Sequence, residues 1–232
     1  MINSLRAWKH VALLAALVAV ALLEPLALDV SERVAIGVGA ATLLVYVVVL
    51  LAVFENRWEQ RMSLFLIGST FLASILHQLV PHPSQVWAIV YHALATVFLG
   101  FAVVVILQRI FRRRAIGTDD VVGALCGYLL AGALWGNLYA LVYLIQPEAF
   151  QISDKIAGQL GNWHMQRFLF DYFSIMTLTT NGFGDIAPAG SPVYSLIWLE
   201  SVFGQFYIAV VVAQLVGLSL AHAIKQDHPD AK

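Results

Sequence analysis

Long apolar runs alternate along the chain with short polar breaks. Six runs stand out, at about residues 10–30, 34–54, 62–80, 86–110, 120–146 and 193–221. A helix that crosses a bilayer needs roughly 20 apolar residues, and tilt absorbs a few more. The third run is the shortest, and Pro81-His82-Pro83 closes it before the fourth begins. The first follows Arg6 and Lys9 as a signal peptide would. It is longer than a typical signal core and has no clear small-x-small cleavage site, so it reads as a retained helix. The pattern predicts an all-α membrane protein with six transmembrane helices.

Composition agrees with this reading. Of 232 residues, 60% are hydrophobic and 12% charged, against about 25% charged in soluble domains, which excludes a soluble enzyme or a nucleic-acid binder. The net charge of −1 is uninformative, but its distribution is not. With a cytoplasmic amino terminus, ten of the 13 basic residues fall inside: Arg6, Lys9, Arg57, Arg61, Arg109, Arg112, Arg113, Arg114, Lys225 and Lys232. Arg33, Lys155 and Arg167 fall outside. This positive-inside bias places both termini in the cytoplasm of a cell (inner) membrane. Trp8, Trp58 and Trp87 near helix ends fit an aromatic belt. The lone Cys126 forms neither an intrachain disulfide nor, by itself, a metal site.

Two blocks and a tail follow from the breaks. Residues 1–115 are expected to form a four-helix bundle. Residues 116–225 are an outer helix, a long outer loop and an inner helix, and 226–232 are a cytoplasmic tail. Arg112-Arg113-Arg114 separates the blocks; it sets topology, with anionic lipid as its possible partner. The loop, residues 147–192, is long for a compact membrane protein. Its first part has Ala149, Ile152, Ile156 and Leu160 at helical spacing after Pro147, which predicts a short surface helix. The apolar segment from Arg167 to Thr180 is too short to cross. It is expected to enter halfway as a re-entrant pore helix whose backbone is buried by protein.

Thr180-Asn181-Gly182-Phe183-Gly184-Asp185 follows that segment. Glycines flanking one residue allow positive φ at alternating positions, which turns successive carbonyls to one side. Four copies around an axis would stack rings of oxygens that replace an ion's hydration shell. The preceding helix would aim its negative end at a cation.

Thr177-Leu178-Thr179-Thr180-Asn181-Gly182-Phe183-Gly184-Asp185 resembles the selectivity-filter signature of the tetrameric potassium channel superfamily, Thr-Val-Gly-Tyr-Gly-Asp after a threonine-rich helix end. The resemblance covers residues 116–222, and Leu199 to Tyr207 is similar to the inner helix of small bacterial members. It implies a homotetramer passing K+ between the fifth and sixth helices. The ion ligands would be the carbonyls of Thr180, Asn181, Gly182 and Phe183, plus the Thr180 hydroxyl, with Gly184 completing the filter. Thr179, Tyr172 and Asp185 would support it, with a Tyr172–Asp185 hydrogen bond at the mouth. Gly204 lies where the family places a flexible inner-helix glycine; close packing is the alternative. No cofactor is implied beyond permeant ions.

Phe183 replaces the usual tyrosine and removes a bracing hydroxyl. Asn181 replaces Val or Ile, whose side chain points behind the filter in the family. An unsatisfied buried amide costs about 1–3 kcal/mol, so Asn181 is expected to bond the pore helix or a water. This leaves a weakly selective monovalent cation channel as an alternative. Residues 86–108 contain no Arg or Lys, which argues against conventional voltage sensing. The short segment after the last run argues against a large cytoplasmic ligand-binding domain. His77, His82 and His92 are candidate pH sensors, each more often structural. Glu200 and Glu24 are polar breaks in membrane runs; Glu200 is expected to pair with a pore-helix donor or to face a wet crevice. Asp171 is expected to cap the pore helix or face water.

Gly182-Phe183-Gly184-Asp185 also resembles the Gly-x-Gly-Asp of presenilin-like and prepilin peptidases, with Asp171 as a second carboxylate. Both carboxylates belong to one short segment, the companion Pro-Ala-Leu motif and the lysine after the prepilin motif are absent, and the threonine run has no proteolytic role. No His-Glu-x-x-His helix, phosphate loop or nucleic-acid stripe is present.

Overall fold

The computed structural model describes residues 9–28, 32–79, 85–112 and 118–227. His82, Arg113 and Arg114 lie outside the described residues, as does most of the tail. The molecule is mostly helical. In chain order the helices are α1 (Lys9–Leu28), α2 (Glu32–Val53), α3 (Arg57–Leu79), α4 (Gln85–Arg112) and α5 (Thr118–Ile145). A 3-10 turn (Pro147–Ala149) and strand β1 (Phe150–Ile152) follow, then α6 (Asp154–Ala157), α7 (Trp163–Leu178), β2 (Ile186–Pro188) and α8 (Ser191–Asp227).

Among the described residues, four helices are long and apolar enough to cross a membrane: α3, α4, α5 from Asp119, and the Ser191–Gln214 part of α8. α1 and α2 contain 20 and 22 residues. The faces of α3 show which solvent the fold expects. Its buried side carries Ser63, Leu66, Ile67, Thr70 and Ala73 at helical spacing, while Leu64, Phe65, Phe71 and Leu72 point outwards. The buried Thr70 hydroxyl satisfies itself on the Leu66 carbonyl at 2.8 Å. Large apolar side chains outside and small hydroxyls inside reverse the water-soluble pattern and suit a lipid surround. The molecule is a membrane protein.

α4 packs along α5 through a stripe of small residues, Ala88, Ala95 and Ala102, all buried. Without bulky side chains there, the helix axes approach closely. A single hydrophobic cluster joins Leu13 of α1, Val49 of α2, Phe98 of α4, Leu130 of α5 and Tyr207 of α8, so one core runs through both blocks. At the Lys9 end, charges close the bundle. Lys9 pairs with Glu55 at 2.6 Å, Arg109 reaches Glu55 at 3.4 Å and Glu59 at 3.2 Å, and His10 meets Asp119 at 2.8 Å.

The 147–160 segment is not the surface helix its spacing suggests. Ala149 and Phe150 turn into an aromatic cluster with Tyr139, Phe170 and Phe173, and β1 pairs antiparallel with β2 in the register Phe150–Pro188, Gln151–Ala187, Ile152–Ile186. Helix survives only as the single turn α6. Burial of Phe150 and pairing with a distant strand outweigh a weak local helical pattern. The same pairing ties the start of the loop to the chain just beyond the Gly-x-Gly motif, with the Ser153 amide donating to the Asp185 carbonyl at 2.8 Å.

Candidate functional site: the end of α7 and the loop that follows

α7 begins earlier than the apolar pattern suggests. Asn162 caps it, accepting hydrogen bonds from the His164 and Met165 amides at 2.9 and 3.2 Å. Its 16 residues span about 24 Å, less than a bilayer core. Gln166, Arg167, Phe170, Phe173 and Ser174 lie on its buried face. With the start at Trp163, Asp171 falls mid-helix instead of capping or facing water. It packs against Gly136 of α5, and its Oδ1 is buried without a hydrogen-bond partner.

The carboxyl end of α7 closes on itself. The Thr180 amide donates to the Thr177 carbonyl at 2.9 Å, and the Asn181 amide donates to the Met176 carbonyl at 2.7 Å. These two bonds make a Schellman motif, which requires a left-handed residue between cap and exit. Thr180 takes that position with φ 61°, at a cost of about 1–3 kcal/mol for a β-branched residue. The expected alternation of positive φ at the two glycines is therefore not found. Gly184 has φ 76°, whereas Gly182 is not left-handed, because closure of the helix assigns the first left-handed turn to Thr180. The hydroxyls of Thr177 and Thr179 bond back to the Phe173 and Ile175 carbonyls at 2.9 and 2.7 Å. Thr180, Asn181, Gly182, Phe183 and Gly184 are all exposed in the single chain. The Asn181 side-chain amide donates to Thr179 Oγ1 at 3.3 Å, so its partner is the cap of α7.

An open cleft of about 380 Å³ lies between this loop, Met176 and Thr177 of α7, and Ile197 and Ser201 of α8. Phe183 is 71% exposed, and its ring lies parallel to that of Tyr172, with centroids 6.4 Å apart. Burial, and then the hydrogen bond and negative charge of Asp185, raise the Tyr172 hydroxyl above its ordinary range, making it a neutral donor at the mouth. Asp185 Oδ1 also accepts from the Ile186 amide at 3.0 Å. No cluster of His, Cys, Asp and Glu able to hold a metal occurs among the described residues.

Behind the loop, three contacts position α7. Tyr128 of α5 donates to the Leu178 carbonyl at 3.1 Å. Gly204 of α8 lies so close to that carbonyl that a Cβ there would clash with it, so in this structure Gly204 is a packing glycine within a continuous helix. Glu200 meets α5 and α7 and does not face a wet crevice. It is fully buried, and its oxygens meet Ser174 of α7 at 2.5 Å and Tyr139 of α5 at 2.6 Å.

Arg167, counted on the sequence only as an outer cation, proves to be buried. Its guanidinium forms an ion pair with Glu24 of α1 and reaches the Tyr91 hydroxyl of α4 at 3.5 Å. A carboxylate inside an apolar run was the available signal, since such groups are paired. His92 is a core residue, its Nδ1 2.9 Å from Asn137 Oδ1. The rings of His77 and His92 flank Trp163 at 4.3 and 4.9 Å. Beside them is His164, which the motif search passed over. Burial, then the Arg167 charge and His77, lower its pKa to about 4. Arg112 is exposed at the end of α4.

Comparison with known proteins supports the part of the chain that holds this site. No curated protein and no solved structure matches the chain. Residues 128–218 match the family model described as an ion channel. That stretch holds most of α5, all of α7, the Thr180–Gly184 loop and most of α8, so the similarity to ion channels covers the helices and the loop that form this site.

Proposed function

We propose that the protein is a potassium-conducting channel, a homotetramer of six-span chains with both termini in the cytoplasm of a cell (inner) membrane. The observation that carries this reading is the short α7 closing directly onto the exposed Thr180–Gly184 loop inside the ion channel domain. A loop with five consecutive exposed residues beside an open cleft suits a surface that copies of the chain complete around an axis. Ions would be held by the carbonyls of Thr180, Asn181, Gly182 and Phe183 and by the Thr180 hydroxyl. Thr179, Tyr172 and Asp185 would brace the filter. α1 and α2 supply the remaining two spans by their length and apolar composition. Conduction would not follow voltage steeply, because the membrane stretch of α4 carries no basic residue to move through the field. Arg112-Arg113-Arg114 would meet anionic lipid at the cytoplasmic face.

Asn181 favours a second reading, a weakly selective monovalent cation channel. Its amide hydrogen-bonds Thr179 at the end of the helix, where the family's filter has an apolar side chain. The Gly-x-Gly-Asp protease reading has less support. Asp185 accepts from the Ile186 amide, while Asp171 packs against Gly136 of α5. Ion flux into liposomes decides among these readings. The channel reading expects barium-sensitive K+ flux that exceeds Na+ flux, with selectivity sharpened in Asn181→Val. Equal K+ and Na+ flux establishes the weakly selective channel, and no flux from folded protein overturns both.

A further inference from the structure

Glu200 lies in the third turn of α8 and faces α7 and α5, with no cation paired to it among the described residues. The titratable groups facing it are the Tyr139 and Tyr128 hydroxyls, both on α5; α7 presents Ser174. The hydrogens of this cluster can be counted. Ser174 Oγ lies 2.7 Å from the Gly132 carbonyl oxygen and 2.5 Å from Glu200 Oε1. A serine hydroxyl has one hydrogen, and a carbonyl oxygen only accepts. If Ser174 donates to Gly132, the contact with Oε1 needs a hydrogen from Glu200. Tyr139 supplies the hydrogen to Oε2 at 2.6 Å. An ionised Glu200 would take the serine hydrogen and leave two acceptors facing each other across the 2.7 Å contact with Gly132.

We propose that Glu200 works as a neutral carboxylic acid, a positioning residue whose proton locks the pore helix to both flanking helices. The chain of donors then runs from Glu200 to Ser174 to the Gly132 carbonyl, while Tyr139 donates to the other oxygen. Every polar atom in it is satisfied, and no charge is buried. Ser174 sits one turn before Leu178, whose carbonyl is held by Tyr128 and crowded by Gly204. The proton therefore governs where α7 ends and where the loop after it begins. Its loss would turn the serine hydroxyl's hydrogen bond from Gly132 to the carboxylate, undo the link to Gly132 and leave an anion among neutral groups.

The consequence for flux rests on the channel reading; the protonation state does not. The test uses the full-length protein in liposomes. The infrared spectrum at neutral pH should contain the carbonyl stretch of a protonated carboxylic acid that disappears in Glu200→Gln. That band should move to higher frequency in Tyr139→Phe, which deletes a donor to it. Glu200→Gln keeps a donor and an acceptor in the same places, so K+ flux should stay within about twofold of wild type, while Glu200→Ala should lose about tenfold or more. Wild-type flux should fall as rising pH removes the band, and Glu200→Gln should not show that fall. Identical infrared spectra for wild type and Glu200→Gln overturn the proposal, as does Glu200→Gln losing flux as Glu200→Ala does. If the wild type carries no K+ at all, the channel reading fails, and the infrared comparison still decides the proton.

Discussion

Helix α7 is held by two buried carboxylates that are neutralised in opposite ways. Near its amino end, Glu24 of α1 pairs with Arg167. Seven residues further on, Glu200 of α8 engages Ser174 through oxygen partners alone. Two turns of helix, about 10 Å, separate the two contacts. The first joins a peripheral helix to the pore helix with full charges. The second joins α5, α7 and α8 to one another without any. An ion pair in a low-dielectric interior repays its desolvation only while both partners remain, whereas a satisfied neutral network keeps most of its groups paired when one member changes. The ionic contact should therefore fail abruptly and the neutral one gradually. The comparison also gives the peripheral helices a concrete task, since α1 reaches the pore helix at its capped end.

The largest effect should come from breaking the ionic contact on one side only. Arg167→Met leaves Glu24 buried without a cation and should destabilise the protein by about 3–5 kcal/mol. Adding Glu24→Leu removes the orphaned charge and should recover most of that loss, since apolar replacement of a buried pair is often close to neutral. Denaturant titration of the purified protein in detergent measures both. A double variant no more stable than Arg167→Met would show that the pair is not the source of the effect.

These contacts explain what the sequence could and could not reveal. The spans of α3, α4, α5 and α8 were legible because apolar length alone signals them, and the Thr180–Gly184 loop stood out because its residues are contiguous. Glu24 and Glu200 were conspicuous as carboxylates in apolar runs, but their partners were not. Arg167 is 143 positions from Glu24, and Tyr139 is 61 positions from Glu200; no local pattern encodes such pairings. Asp171 was misplaced because the apolar pattern starts at Arg167, whereas Asn162 caps the helix a turn earlier. Both glycines of the loop permit positive φ, but the hydrogen bonds closing α7 decided that Thr180 and Gly184 use it. The strand pairing of Phe150–Ile152 depended on a partner segment more than 30 positions away.

A smaller effect should follow at the neutral contact. Tyr139→Phe removes the donor to Glu200 Oε2 but leaves Ser174 and its carbonyl in place. The expected loss is about 1–2 kcal/mol, the range for one buried hydrogen bond to a polar group that keeps its other partner. Measured beside Arg167→Met, this value tests whether the neutral network loses less than the ionic pair when one member is removed. A loss from Tyr139→Phe equal to that from Arg167→Met would erase the distinction between the two contacts.

The last effect concerns acid, and it is absent at neutral pH. His164 lies in the first turn of α7, where burial, the Arg167 charge and His77 lower its pKa from 6.5 to about 4. Between those values the unfolded chain binds a proton that the folded protein does not, so stability is present above pH 6.5 and drains away as pH falls towards 4. Protonation also sets a second cation near Arg167. His164→Gln cannot take up that proton and should make the acid limb of the stability profile shallower, while leaving any alkaline loss due to Glu200 unchanged. Stability followed by thermal unfolding across both the acid and the alkaline side of neutrality separates the two ends of the helix. An acid limb of the same depth in His164→Gln would assign the loss elsewhere, and a change on the alkaline side would mean that the two contacts are not independent.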